Sequence, residues 1–194
     1  MRRSRPCPSL PRGIVALAAG LGLALTACSS LRTTSDYDPK ADFGRLRTYA
    51  WLPHSTERAD PRIDTELLRV RVQRSVDAEL DRKGLTPAPS GAKPDLLVDY
   101  HVTTKEKVDV VTFPSGWGYG PGWSYGPATQ AQSREYTEGT LILDFIDAST
   151  RQLLWRGTAS AEIVPGRTPE QREQRIDQAV REILAPFPPH AAGS

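Results

Sequence analysis

The chain has 194 residues, 38% of them hydrophobic, with 25 Lys and Arg against 23 Asp and Glu. Length and apolar content suit one domain with its own core, while the interspersed, nearly balanced charge excludes the basic block of a nucleic-acid binder. Two cysteines and three histidines (His54, His101 and His190) offer no pair at metal-ligand spacing.

At the N-terminus, Arg2, Arg3, Arg5 and Arg12 form a positive segment without acids, followed by the apolar run GIVALAAGLGLALT from Gly13 to Thr26. That run is shorter than the roughly 20 residues of a membrane span and suits the apolar centre of a secretory signal peptide over residues 1–27. It ends in Leu25-Thr26-Ala27-Cys28, which resembles the bacterial lipobox. The resemblance implies that the Cys28 thiol takes a diacylglyceryl group and that cleavage before it frees an amine for further acylation. Each buried acyl CH₂ contributes roughly 0.8 kcal/mol, so two or three chains would hold the protein to a membrane. Ser29 resembles the residue of outer-membrane-sorted lipoproteins, where Asp marks inner-membrane retention. The mature chain would run from Cys28 to Ser194 with 21 basic and 23 acidic residues. Cys7 would be discarded and Cys28 consumed, leaving an ordinary apolar core to hold the fold.

Residues 28–41 are polar, lack a helix or strand period, and read as a flexible tether. The domain then covers 42–189, with a tail at 190–194. Leu46–Leu52 is a short β-type run stopped by Pro53. Asp60-Pro61 reads as the start of a helix. Its apolar stripe is Ile63, Leu67 and Val70, beside a second row of Leu68, Val72, Val76 and Leu80, and Gly84 stops it after Lys83. Thr86–Lys93 reads as a loop. Residues 95–111 alternate, with Val98, Tyr100 and Val102 opposite Asp99, His101 and Thr103, as a strand with one wet face does. A second such run covers 134–146, with Leu141, Leu143 and Phe145 on one face. Asp147-Ala148-Ser149-Thr150 is turn chemistry. The third run, 152–164, puts Trp155, Gly157, Ala159, Ala161 and Ile163 on one face and makes a hairpin with the second. Thr168-Pro169-Glu170-Gln171 is a capping box opening a helix whose stripe is Ile176, Ala179, Val180, Ile183 and Leu184. The order β-α-β-β-β-α predicts an α+β two-layer sandwich, two helices on one face of a mainly antiparallel sheet.

Asp42-Phe43, Thr48-Tyr49-Ala50-Trp51, Lys83-Gly84, Pro94-Asp95-Leu96, Gly139-Thr140-Leu141, Asp147, Trp155-Arg156-Gly157 and Phe187-Pro188-Pro189 together resemble bacterial lipoproteins of the domain of unknown function 4136 family. Leu85 stands where that pattern places an aromatic. The resemblance implies an envelope lipoprotein; it assigns no activity and no catalytic residues.

Asp99 and His101 share a strand face and could accept a proton, but no nucleophile lies nearby in sequence. Asp144 and Asp147 flank the hairpin turn and read as turn stabilisers. Gly116, Gly118 and Gly120 lack the lysine and helix of a phosphate loop. The stretch SGWGYGPGWSYGPA, residues 115–128, is otherwise distinctive. Its Gly and Pro make a regular strand unexpected, so 112–133 reads as a loop excursion of a long hairpin. Trp117, Tyr119, Trp123 and Tyr125 could make it a contact loop for a membrane surface, a glycan or a partner protein; the alternative is slack. The sequence therefore points to a lipid-anchored, periplasm-facing protein of the outer membrane, with a non-enzymatic binding or support role and no cofactor, metal or nucleic acid. A peptidoglycan- or glycan-binding module is the alternative, and a hydrolase built on Asp99 and His101 a third reading.

Overall fold

The computed structural model describes residues 31–53, 63–119 and 125–189, the strand ends at 113–119 and 125–130 by their backbone alone. Its elements are β1 (Arg32–Tyr37), a 3-10 turn (Phe43–Arg45), β2 (Thr48–Trp51), α1 (Glu66–Arg82), β3 (Thr86–Pro87), β4 (Leu96–Tyr119), β5 (Tyr125–Asp147), β6 (Leu153–Glu162) and α2 (Pro169–Leu184). The strands form one sheet in the order β1-β6-β5-β4-β2-β3. β1, β6, β5 and β4 pair antiparallel, whereas β2 runs parallel to both β4 and β3. The α+β class and mainly antiparallel sheet expected from the pattern are therefore present, with α1 as the crossover that a parallel β2–β4 pair requires.

Alternation decides which face is dry. Val98, Tyr100 and Val102 of β4, Leu143 and Phe145 of β5, and Trp155 and Ala159 of β6 share one buried cluster with Val72, Val76 and Leu80 of α1 and Ala179, Val180, Ile183 and Leu184 of α2. Trp155 is 1% exposed. It stacks on Phe145 at 5.0 Å between ring centroids and meets Phe187 edge-on at 5.4 Å. Phe43 closes the same group against Phe187 at 5.9 Å. Gly157 makes room for the indole: a Cβ there would lie 2.2 Å from Trp155 Cη2 and 2.5 Å from Ile183 Cγ2.

Polar ties register the layers. Asp77 of α1 accepts from Tyr49 Oη at 2.8 Å and Trp51 Nε1 at 2.9 Å, fastening the helix to β2. Burial, and then the bond to Asp77, push the Tyr49 phenol upward. Asp95 accepts from the Arg47 and Thr48 amides and the Thr48 hydroxyl at 2.9–3.0 Å, setting where β2 meets β4. Lys83 Nζ donates to the Phe187 carbonyl at 2.6 Å and ties down the C-terminal segment.

Four expectations need correction. The tether read over 28–41 contains strand β1, which pairs with β6 from Arg32↔Ser160 to Tyr37↔Trp155. Every β1 side chain is exposed, so no apolar alternation announces it; backbone bonds to β6 and the 2.7 Å contact of the Thr34 and Thr158 hydroxyls hold it. Helix α1 starts later than Asp60-Pro61, which lies outside the described residues. Thr65 is its N-cap and accepts from the Leu68 amide at 3.3 Å. Ile63 consequently precedes the helix, and the supposed Leu67 and Val70 stripe is 65% and 48% exposed, because the Val72–Val76–Leu80 row faces the sheet. Finally, Thr86–Pro87 is a two-residue strand on β2 inside the presumed loop. The Gly84 stop, with φ +81°, and the Thr168–Gln171 capping box are as expected.

Candidate functional site

The hairpin that carries the aromatic stretch differs from its sequence reading. β4 and β5 pair from Leu96↔Asp147 to Tyr119↔Tyr125, so the strand continues where an irregular excursion was expected. The Gly and Pro residues produce a register shift between Pro114 and Trp117 rather than a strand end. The physical reason lies in edges. Past Glu138↔Glu162 and the backbone bond from the Ile163 amide to the Thr137 carbonyl, β6 no longer accompanies β5. Both remaining strands are then edges, where proline's missing N–H is tolerated, and bulges absorb irregular residues.

The result is a two-stranded arm. From Glu106 to Tyr119 it reaches roughly 40 Å at about 3.3 Å per residue. Its base exposes Val108 at 59% and Val110 at 64%. Among the four aromatics singled out, Trp117 pairs in register with Pro127 and Tyr119 with Tyr125; Trp123 lies outside the described residues. The structure thus sets three of the four at the far end of one projecting element, away from the aromatic core.

On the sheet face opposite the helices, Asp99, Asp144, Arg156 and Asp36 occupy consecutive register positions across β4, β5, β6 and β1. Arg156 grips Asp144 with both arms of its fork, Nε to Oδ1 and Nη2 to Oδ2 at 2.6 Å each. Asp144 is 4% exposed, so this pair is the neutralising contact that a buried carboxylate needs. Asp144 therefore ties strands together and is not the turn stabiliser expected from its position. Its partner is twelve residues away in sequence and lies opposite only once β5 and β6 pair. Asp147 does hold the turn: its carboxylate accepts from the Ser149 and Thr150 amides at 2.7 and 2.8 Å and pairs with Arg45. The Thr150 amide first, then the Ser149 amide and Arg45, hold its pKa down at about 2, against the opposing effect of burial.

His101 Nε2 stands 3.4 Å from Asp99 Oδ2 and 3.9 Å from Asp144 Oδ2. Both separations exceed a good hydrogen bond. The nearby hydroxyls are engaged with one another, Thr158 with Thr34 and Thr140 with Ser160 at 2.8 Å. Within the charged row the opposite-charge Asp144–Arg156 pair ties β5 to β6, whereas Asp99 and Asp144, alike in charge and directly opposite, do not stabilise the sheet by themselves. His54, His190 and Cys28, the expected lipid acceptor, lie outside the described residues. Among the described residues no group of three or more His, Cys, Asp or Glu could hold a metal ion.

The residues that carry the sequence resemblance are largely those that build the fold: Phe43, Trp155 and Phe187 in the aromatic group, Gly157 beneath the indole, Tyr49 and Trp51 on Asp77, Asp95 at the β2–β4 junction. Leu85, at the position of a family aromatic, is buried. The family model for the domain of unknown function DUF4136 matches residues 33–189. The chain belongs to the DUF4136 family. Among curated proteins none matches this DUF4136 chain. A solved PDZ domain protein from Parabacteroides distasonis is similar over 82% of this chain and 35% of its own, with 16% identity and a TM-score of 0.51. The DUF4136 chain thus spans about a third of that protein's length, and the likeness is one of fold. A PelC dodecamer from Paraburkholderia phytofirmans covers 81% of this chain and 96% of its own at 12% identity, with a TM-score of 0.43, too low to carry an argument.

Proposed function

We propose that this DUF4136 chain is a lipid-anchored cell-envelope protein, facing the periplasm from the outer membrane, that makes a non-enzymatic contact with another envelope component through its β4–β5 arm. The observation that carries this reading is the arm itself. Its ladder runs to Tyr119↔Tyr125 with no third strand beyond Thr137 among the described residues. An isolated two-stranded ribbon is marginal in water, and this one bears exposed valines at its base and Trp and Tyr at its end, residue types that dominate contact energies. Attachment in this reading falls to Cys28: among the described residues no helix is long and apolar enough to cross a membrane, and the signal segment and lipobox supply the alternative of an acyl anchor.

Two measurements test it together. Metabolic labelling with a tagged fatty acid should mark the wild type and not Cys28→Ala. In the unanchored Cys28→Ala background, deletion of 112–133 should release the protein from isolated envelopes. Photo-crosslinkers at Trp117 and Trp123 should then trap a protein. Retention on purified peptidoglycan, lost with the arm, would instead establish the glycan-binding reading. Equal retention with and without the arm would remove the contact role.

A further inference from the structure

On one side β4 runs far past its neighbour. β2 pairs with it only from Tyr49↔Leu96 to Trp51↔Val98, whereas β4 continues to Tyr119. Two bonds show which backbone groups this leaves bare. The Val98 carbonyl accepts from the Leu52 amide at 2.9 Å, so Val98 turns its backbone toward β2 and away from β5. The Thr137 carbonyl accepts from the Ile163 amide at 2.8 Å, so Thr137 faces β6, and Glu106 opposite it faces away from β5. Antiparallel strands alternate bonded and non-bonded pairs residue by residue, and the β4–β5 register is continuous from Leu96↔Asp147 to Pro114↔Thr129. Glu106, Val108 and Val110 therefore all present N–H and C=O outward, and among the described residues nothing bonds to those groups.

A bare strand edge is a template for a further strand, and proteins blunt it with proline, bulges, charges or a covering segment. Here proline and the register shift come only from Pro114 onward, and the charges have both signs: Lys105 and Lys107 precede Val108, and Asp109 follows it. Lys107 is bonded to Glu138 at 2.7 Å. Lys105 and Asp109 are exposed, with no ion pair among the described residues. A second copy laid antiparallel on this edge by a two-fold axis can centre on any residue from 106 to 110. Centred on Glu106, it sets that acid against itself and Lys105 against Lys107. Centred on Lys107 or Asp109, it again sets like charge on like. Centred on Val110, it puts Glu106 across from Pro114, which has no N–H to give. Centred on Val108, it sets Val108 against itself and Glu106 against Val110, with Asp109 directly opposite Lys107 and diagonal to Lys105, within reach of both.

We propose that a second copy of this chain pairs antiparallel along β4 with Val108 on the two-fold axis, joining two arms into one four-stranded ribbon. The edge is complementary to itself, so each contact is made twice, as a two-fold interface requires. Backbone bonds at Glu106, Val108 and Val110 supply affinity, and the alternating side chains fix the register, as in strand addition generally. Val108 and Val110, exposed in the single chain, meet the same valines of the second copy on the helix side of the sheet, and β-branched neighbours across strands stabilise it. Two strands are marginal in water, whereas more strands with an apolar face hold. The pairing needs neither the lipid anchor nor the aromatic end of the arm, so it stands or falls apart from the contact proposed above.

The full chain carrying Cys7→Ser and Cys28→Ala has no thiol left and is studied by sedimentation equilibrium without envelopes, where a concentration-dependent dimer is expected. Val108→Pro removes the N–H on the axis and spares the β4–β5 ladder, to which Val108 gives no bond; it should lower the association constant about tenfold or more. Asp109→Lys brings three lysines together and should weaken the dimer most at low salt. In the same background, Lys107→Cys and Asp109→Cys proteins are mixed and mildly oxidised. These positions lie directly opposite, about 4.5 Å apart between Cα atoms, and should link as a heterodimer. Each alone lies diagonal to itself at about 7–8 Å, outside disulfide reach, and should not link. A protein monomeric at every concentration overturns the inference. So does association that Val108→Pro and Asp109→Lys leave unchanged, or equal linkage in mixed and single cysteine samples. If Val108→Pro does not fold, Asp109→Lys and the cysteine pairs decide.

Discussion

The molecule has two aromatic-rich regions with opposite fates. Phe43, Phe145, Trp155 and Phe187 converge from four separate segments onto one point between sheet and helices. Trp117, Tyr119 and Tyr125 lie close in sequence yet sit toward the end of a two-stranded arm that pairs with no third strand among the described residues. Aromatic density along a sequence therefore says little about burial. Burial needs partners from distant segments, and a ribbon without a covering layer has none to offer. The core aromatics set stability; the arm aromatics carry the contact role proposed above.

The largest effect should come from the core. Trp155→Ala is expected to cost about 3–5 kcal/mol, most of a small domain's margin, read as a lower denaturant midpoint; an unchanged midpoint would reverse the assigned face of β6. Gly157→Ala follows, since its methyl would overlap the indole and Ile183. Overpacking of this kind costs about 1–3 kcal/mol, and the double variant with Trp155→Phe should recover part of the loss. If Gly157→Ala alone were neutral, the close indole contact would be wrong.

Asp147→Asn tests the hairpin's other end. The folded protein holds this carboxylate at about 2, below its ordinary value of 3.8. Its stabilisation is thus complete above about pH 4 and fades as pH falls toward about 2, because the unfolded chain takes up the proton first. The variant should lose about 1 kcal/mol at neutral pH, a figure reduced for solvent screening at the sheet end. Between pH 4 and 2 its stability should fall less steeply than that of the wild type. Parallel acid curves would show that Asp147 does not titrate as the turn geometry implies.

The smallest stability effect belongs to the arm. Deleting 112–133 and joining the strands by a short turn should leave the melting temperature within a few degrees, because a two-stranded ribbon without a covering layer adds little stability in water. A large drop in melting temperature would mean that the arm packs on the domain, erasing the contrast between the two regions.

Local patterns determined much of this protein. Period-two alternation placed β4, β5 and β6 and chose Val98, Tyr100, Leu143, Phe145 and Trp155 as their dry face, because a pleated strand sends successive side chains to opposite sides. Thr168 with Gln171 fixed the start of α2, and Gly84 the end of α1, through bonds made within a few residues. The Asp147 turn was equally local. Tertiary structure decided what depends on distant partners. β1 is a strand only because β6 offers an edge; its own side chains are all exposed and carry no period. Asp144 is bound to Arg156 rather than to the turn, through a register that exists once β5 and β6 pair. The Gly- and Pro-rich arm stays paired because both of its strands are edges. The bare edge of β4 over 106–110 exists because β2 ends beside Val98. Alternation shows which side chains a strand sends to each face, but whether its backbone groups are met depends on what lies beside it, and that only the assembled sheet decides.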